Sequence, residues 1–448
     1  MQLDPPPSSA PVVHGMVLTG GGARAAYQVG VLQALSDIHR DSGSPRHLNP
    51  FQVITGTSAG AINASALATG ADDFWGAVDR LVGVWRDFRA DQVYRADAFG
   101  VARSGARWLA LMSMGWAIAR WRRMRPRSLL DNTPLQHLLS EMVPLERIPG
   151  LIAQGHLQAL AVSASSYSTG QHVTFFDGKP GLQPWVRSQR HAVAGPICQE
   201  HLLASSAIPF VFPAMALHTP DGCQYFGDGS MRQSAPIAPA IHLGARKVLV
   251  VGAGRLHEPR DSHARVEAPA YPTLAQIAGH ALSNIFLDAL SVDVERVQRI
   301  NQTLSLVPAS ARRHSSLQPI DLLVIAPSRR LDEVAAQHLG ALPRPVLMML
   351  GALGVSSTNR EVRNAALASY LLFEAEYTRE LMALGHEDTM QRRDEIGKFF
   401  GWTQAPAARM LPPAPPLSSG SGAPAISRDP QRHFEQARRE RRQTAETP

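Results

Sequence analysis

Cysteine is nearly missing from this chain, with only Cys198 and Cys223 in 448 residues, so neither a disulfide framework nor a four-thiolate zinc site can be built from it. Long apolar runs are missing too. The longest stretch, at 346–355, is well short of the roughly 20 residues that a bilayer-spanning helix needs. The opening MQLDPPPSSAPVVHG lacks the basic-then-apolar order of a secretory signal, so the expected location is cytoplasmic, with peripheral membrane contact allowed. Charged residues make up 18% of the chain and their balance is +7. That excess favours anionic partners without choosing among phosphate, anionic lipid and nucleic acid.

Hydrophobic residues, at 44%, are enough for a substantial core. Residues 1–13 read as a flexible leader. Met16-Val17-Leu18-Thr19 reads as a buried strand running into Gly20-Gly21-Gly22, followed by a helix over 25–39. A second strand at 51–55 runs into Gly56-Thr57-Ser58-Ala59-Gly60 and a helix of small residues. Strand-like runs recur at 157–163, 172–176, 247–251 and 320–325, so strands and helices are mixed and an α/β layered fold is expected. Together these form an expected catalytic domain over 14–330, with a basic helical insertion at about 72–147. A C-terminal helical region follows over 331–400, helical above all at 361–384. The Pro-, Ser- and Arg-rich tail 401–448 lacks the apolar residues to pack and is expected to be disordered. No internal repeat is found.

Gly56-x-Ser58-x-Gly60 fits a nucleophile elbow, a tight strand-to-helix turn that lifts a serine hydroxyl above a sheet while the next helix offers free N–H groups to an oxyanion. Standing alone, the pattern is equally a capped helix start. Gly20 to Gly22 leave backbone amides uncovered, as an oxyanion loop requires. The same residues fit the dinucleotide pattern Gly20-x-Gly22-x-x-Ala25, but the second strand ends in a serine elbow where that pattern needs an acid, and Asp37 and Asp41 fall in the first helix and its exit. Arg24 is a cation in a first helical turn, against the helix dipole, so it is either solvated or bound to an anion or to the loop itself.

The order Gly20-Gly21-Gly22-Ala23-Arg24, Gly56-Thr57-Ser58-Ala59-Gly60 and Asp228-Gly229, with Ala204-Ser205-Ser206-Ala207-Ile208-Pro209 before the aspartate, resembles the patatin-like phospholipase family over about 14–240. The resemblance implies a three-layer α/β/α core with a largely parallel sheet. It also implies a lipid acyl hydrolase with Ser58 as nucleophile, Asp228 as its base, Gly20 to Arg24 at the oxyanion or substrate, Gly56, Gly60 and Gly229 as motif support, and no metal or organic cofactor. This chain has Ser230 where the family often has glycine, and Ala25 where its first motif often ends in glycine.

Competing readings are a Ser-His-Asp hydrolase using His242, His257 or His280, and an inactive scaffold or lipid-binding module. The expected partner is a lipid ester. Between Arg103 and Arg127, seven arginines interleaved with Trp108, Trp116 and Trp121 and no acid suggest contact with an anionic membrane. No nucleic-acid motif accompanies the basic charge, and the sequence is silent on oligomeric state.

Overall fold

In the first strand, β1 (His14–Leu18), Met16 and Leu18 join one buried cluster and Val17 another, since successive side chains of a strand face opposite ways. Four more strands repeat this pattern: β2 (Val53–Thr57), β3 (Ala159–Ser166), β9 (Lys247–Val251) and β10 (Asp321–Ile325). Strands buried on both faces are what a parallel sheet between two helical layers demands. The computed structural model describes residues 12–95, 128–255, 273–285, 289–312, 315, 317–352, 355 and 362–402. The leader 1–11, the basic segment from Arg103 to Arg127, His257 and the tail beyond Trp402 lie outside the described residues.

The remaining strands are β4 (His172–Gly178), β5 (Val186–Arg187), β6 (Arg190–Ala194), β7 (Met215–Thr219) and β8 (Gly222–Asp228). The sheet order is β10-β9-β1-β2-β3-β4-β6-β5, parallel from β10 through β3 and between β4 and β6. β3 outruns β2, and this overhang positions the site. Its Ser163 pairs with Thr57, the last residue of β2, and its next residue, Ala164, pairs antiparallel with Asp228, the last of β8. Two distant strand ends therefore meet at consecutive residues of a third.

One face of the sheet carries α1 (Ala26–Asp41), α2 (Ala59–Ala68), α3 (Phe74–Arg86), α4 (Thr133–Met142) and α5 (Gln199–Ser205); the other is covered by α6 (Ala289–Leu306) through Leu290, Val294 and Val297. These are the three layers expected. The run expected to be helical over 361–384 is interrupted: α7 (Val362–Ser369) and α8 (Ala375–Met390) flank a bend at 370–374. Four consecutive residues of that bend, Tyr370, Leu371, Leu372 and Phe373, are buried, and its Tyr370 and Leu371 carbonyls accept from the Ala23 N–H and the Tyr94 hydroxyl where a continuous helix would have used them for its own next turn. α8 then lies along α1, where Gly30 and Gly385 bring the two backbones into contact. The described residues all belong to one compact unit. Among them no helix is long and apolar enough to cross a membrane.

Candidate active site

Ser58 is the single residue between β2 and α2, held at φ 57° and ψ −132°. A non-glycine residue in that region is strained and persists only where its surroundings fix it. They do so here through close backbone packing. A side chain at Gly60 would meet the Leu18 and Thr19 carbonyls, one at Gly56 would meet Ala61, and one at Gly229 would meet the Ser163 carbonyl. The Ser58 N–H donates to Ser205 Oγ at 2.9 Å, and Ser205 Oγ in turn donates to the Ser163 carbonyl at 2.6 Å.

The Ser58 hydroxyl donates to Asp228 Oδ2 at 2.6 Å. The other carboxylate oxygen, Oδ1, accepts the Ser230 N–H at 2.9 Å, so the Ser that replaces a glycine common in the family supplies its backbone all the same. Ser58 is 1% exposed and Asp228 0%. Burial pushes the Asp228 carboxyl up to about 6, outweighing the Ser58 and Ser230 hydrogen bonds that act to lower it. His172 is buried at the start of β4, and burial first of all holds its imidazole down to about 4, so it is neutral at physiological pH. The Ser58 hydroxyl thus points at a carboxylate whose surroundings favour its neutral form.

The cavity beside Ser58 is apolar, with Ile62 and Ala66 of α2, Leu81 of α3, Leu138 of α4 and Ile208 among its walls. Gly22 and Ala59 line it together with Ser58. Of the expected loop, Gly20, Gly21 and Gly22 are buried, and Gly22 takes the left-handed conformation at φ 54°. Ala23 and Arg24 face elsewhere: the Ala23 N–H is already donated to the Tyr370 carbonyl at 3.0 Å, and Arg24 is buried against Ser369.

Beneath the loop runs a polar chain that sequence reasoning missed. Gln28 Nε2 donates to the Thr19 carbonyl (2.7 Å), Asn63 Nδ2 to Gln28 Oε1 (3.1 Å) and Trp85 Nε1 to Asn63 Oδ1 (2.9 Å). It ties the loop to α1, α2 and α3. In the sequence Ser205 stands out only as part of the Ala204–Pro209 segment and His172 only as the start of a strand-like run, since a lone buried Ser or His has no local signature of function.

The competing readings fare less well. Among the described residues no histidine hydrogen-bonds Ser58 or Asp228. His242 stacks on Trp185 at 4.7 Å, and His280 lies in the helix Leu274–Ser283. Asp37 pairs with His386, and Asp41 with Arg393, at the protein surface. Among the described residues no group of three His, Cys, Asp or Glu is placed to hold a metal ion.

A family model described as patatin-like phospholipase matches residues 16–241, half of the chain. Among solved structures, human GIVD cytosolic phospholipase A2 is similar at 12% identity over 87% of this chain and 60% of its own, with a TM-score of 0.42. VipD from Legionella pneumophila is similar at 14% identity over 84% and 67%, TM-score 0.26. The heterodimeric ExoU-SpcU complex of the Pseudomonas aeruginosa type III secretion system gives 15% over 86% and 76%, TM-score 0.25. The chain thus spans about 60% of the human enzyme. No curated protein sequence matches it.

Proposed function

The chain belongs to the patatin-like phospholipase family, and from that premise we propose that it hydrolyses lipid acyl esters with Ser58 as nucleophile and Asp228 as general base. The observation that carries this reading is the 2.6 Å hydrogen bond between a buried, strained serine and a buried carboxylate, with no histidine between them among the described residues.

In this scheme Ser58 Oγ attacks the ester carbonyl carbon while its proton passes to Asp228 Oδ2. A carboxylate is ordinarily a weak base, but desolvation of Asp228 favours the protonated form that this step creates. The carbonyl oxygen becomes an oxyanion. Among the described residues the Gly21, Gly22 and Ala59 N–H groups make no hydrogen bond, and Gly22 and Ala59 border the same cavity as Ser58, so these amides are the proposed donors. Asp228 then returns the proton to the leaving alkoxide as the carbon–oxygen bond breaks. Water adds to the acyl-enzyme by the same route and releases a fatty acid, whose chain the apolar cavity is suited to hold.

A fluorophosphonate probe is expected to label the wild-type protein and not Ser58→Ala, and the variant is expected to lose hydrolysis across a panel of phospholipid and neutral-lipid esters by about a million-fold. Folded wild-type protein that takes no label and hydrolyses no ester would sink the proposal in favour of an inactive lipid-binding module.

A further inference from the structure

The region that matches the family ends at residue 241, yet a segment more than a hundred residues later touches the oxyanion loop. Resting on the reading above, we infer that the C-terminal end of α7 and the bend that follows it are a positioning element for that loop, acting through Ser369, the Tyr370 carbonyl and Arg24.

Three contacts carry this inference. First, any side chain on Gly22 would run into the Tyr370 carbonyl, so the loop and the bend are in backbone contact where the loop takes its left-handed turn. Second, the Ala23 N–H is committed to that carbonyl at 3.0 Å. This removes one amide from the set facing an anion and fixes the plane of the peptide joining Gly22 to Ala23. Third, Arg24 Nε donates to Ser369 Oγ at 2.8 Å while its guanidinium lies over the Tyr370 ring, 4.2 Å from the centroid. Ser369 Oγ is itself oriented, because it donates to the Ala366 carbonyl at 2.6 Å.

The bend is held equally from its far side. Tyr94 donates its hydroxyl to the Leu371 carbonyl at 2.9 Å, the Ala90 N–H reaches Glu374 Oε1 at 3.4 Å, and Phe373 forms part of the cavity wall. One short segment therefore fixes both the loop and a wall of the cavity. Arg24 is 4% exposed, and it is engaged with the bend, which accounts for a cation placed against the helix dipole. Oxyanion donors act only when held where the charge develops, and a misplacement of about 1 Å costs roughly a hundredfold in rate.

The test uses the full chain and four variants: Ser369→Ala, Ser369→Thr, Arg24→Met and the Ser369→Ala/Arg24→Met double. Because Arg24→Met removes a buried side chain, thermal midpoints are followed alongside, and Ser369→Ala is the milder probe. Expected are a fall in kcat of about tenfold for Ser369→Ala at unchanged KM, most of the turnover kept in Ser369→Thr, and a double variant no slower than Arg24→Met alone, since both act through one contact. Affinity for a long-chain trifluoromethyl ketone, which forms an oxyanion on Ser58, falls by the same factor as kcat. Affinity for the matching fatty acid does not. A wild-type kcat in Ser369→Ala, or equal losses of ketone and fatty-acid affinity, or additive effects in the double variant, overturns the inference while fluorophosphonate labelling of the wild type leaves the proposed function standing. If the wild type neither labels nor binds the ketone, the function fails and the inference fails with it.

Discussion

Two buried regions of this molecule, the turn around Ser58 and the crossing of α1 with α8, are built on opposite terms. At the turn the polar groups have named partners: Ser58 through its hydroxyl and its N–H, and Asp228 through both oxygens. At the crossing, backbone lies against backbone at Gly30 and Gly385, with Tyr27, Leu381 and Met382 packed around it and polar contacts only to its sides, the buried Tyr27 to Asp388 and the half-exposed Asp37 to His386, each at 3.0 Å. Residue identity specifies the first region and volume specifies the second. A buried, hydrogen-bonded charge adds little net stability or subtracts from it, whereas close apolar packing supplies most of what holds a domain together. Function and stability are therefore expected to separate when the two regions are perturbed.

Asp228→Asn should separate them most widely. If Asp228 is the base as proposed, turnover is expected to fall by roughly four orders of magnitude. Stability is expected to move the other way. The folded carboxyl titrates at about 6 because burial disfavours its charge, so the folded state binds this proton more tightly than the unfolded chain does. Stability from this group is therefore present below the ordinary carboxylate pKa and is lost as pH rises towards 6. Asparagine keeps an acceptor for the Ser230 N–H and carries no charge, so at pH 8 urea unfolding should show the variant more stable by about 3 kcal/mol, with most of the gain gone by pH 4. An advantage that persists undiminished at pH 4 would refute the electrostatic origin. The wild-type kcat/KM should correspondingly fall with a single proton below pH 6.

Gly385→Ala is the converse experiment. A methyl there would press on the Tyr27 carbonyl, and neither backbone can yield without separating the helices. The expected cost is about 3 kcal/mol of unfolding free energy, read as a lower urea midpoint, with most of the turnover kept in the folded fraction. Loss of turnover at unchanged stability would contradict the comparison.

The same contrast explains what was legible in the sequence. The elbow and the glycine loop could be read because a left-handed Gly22 and the crowded Gly56 and Gly60 admit almost no other residue. The strands could be read because burial on both faces leaves continuous apolar runs, and the run at 247–251 matches β9 end for end. The strand expected at 51–55 begins and ends two residues later, at Val53–Thr57, because pairing of Gly56 and Thr57 with β3 carries β2 up to Ser58. The break at Tyr370 was invisible, since Tyr370 to Phe373 have the composition of a helix and only their contacts with Ala23, Tyr94 and the cavity make them a bend. The chain Gln28–Asn63–Trp85 was equally hidden, because each member comes from a different helix and none sits in a motif.

Ser205 lies between the two regimes and tests whether the division is sharp. It is fully buried at the end of α5, and its hydroxyl joins the strained Ser58 N–H to the Ser163 carbonyl. Ser205→Ala leaves a buried donor and a buried acceptor without that bridge, at an expected cost of about 2 kcal/mol in unfolding free energy. It also frees the one bond that restrains the Ser58 amide, so kcat should fall about tenfold with KM unchanged, as expected for an interaction used in the transition state. Both quantities are therefore expected to drop together, unlike in either variant above. If stability fell while kcat held, the elbow would be set by its glycines alone; if kcat fell while stability held, water would have replaced the lost hydroxyl without restoring the geometry it imposed on Ser58.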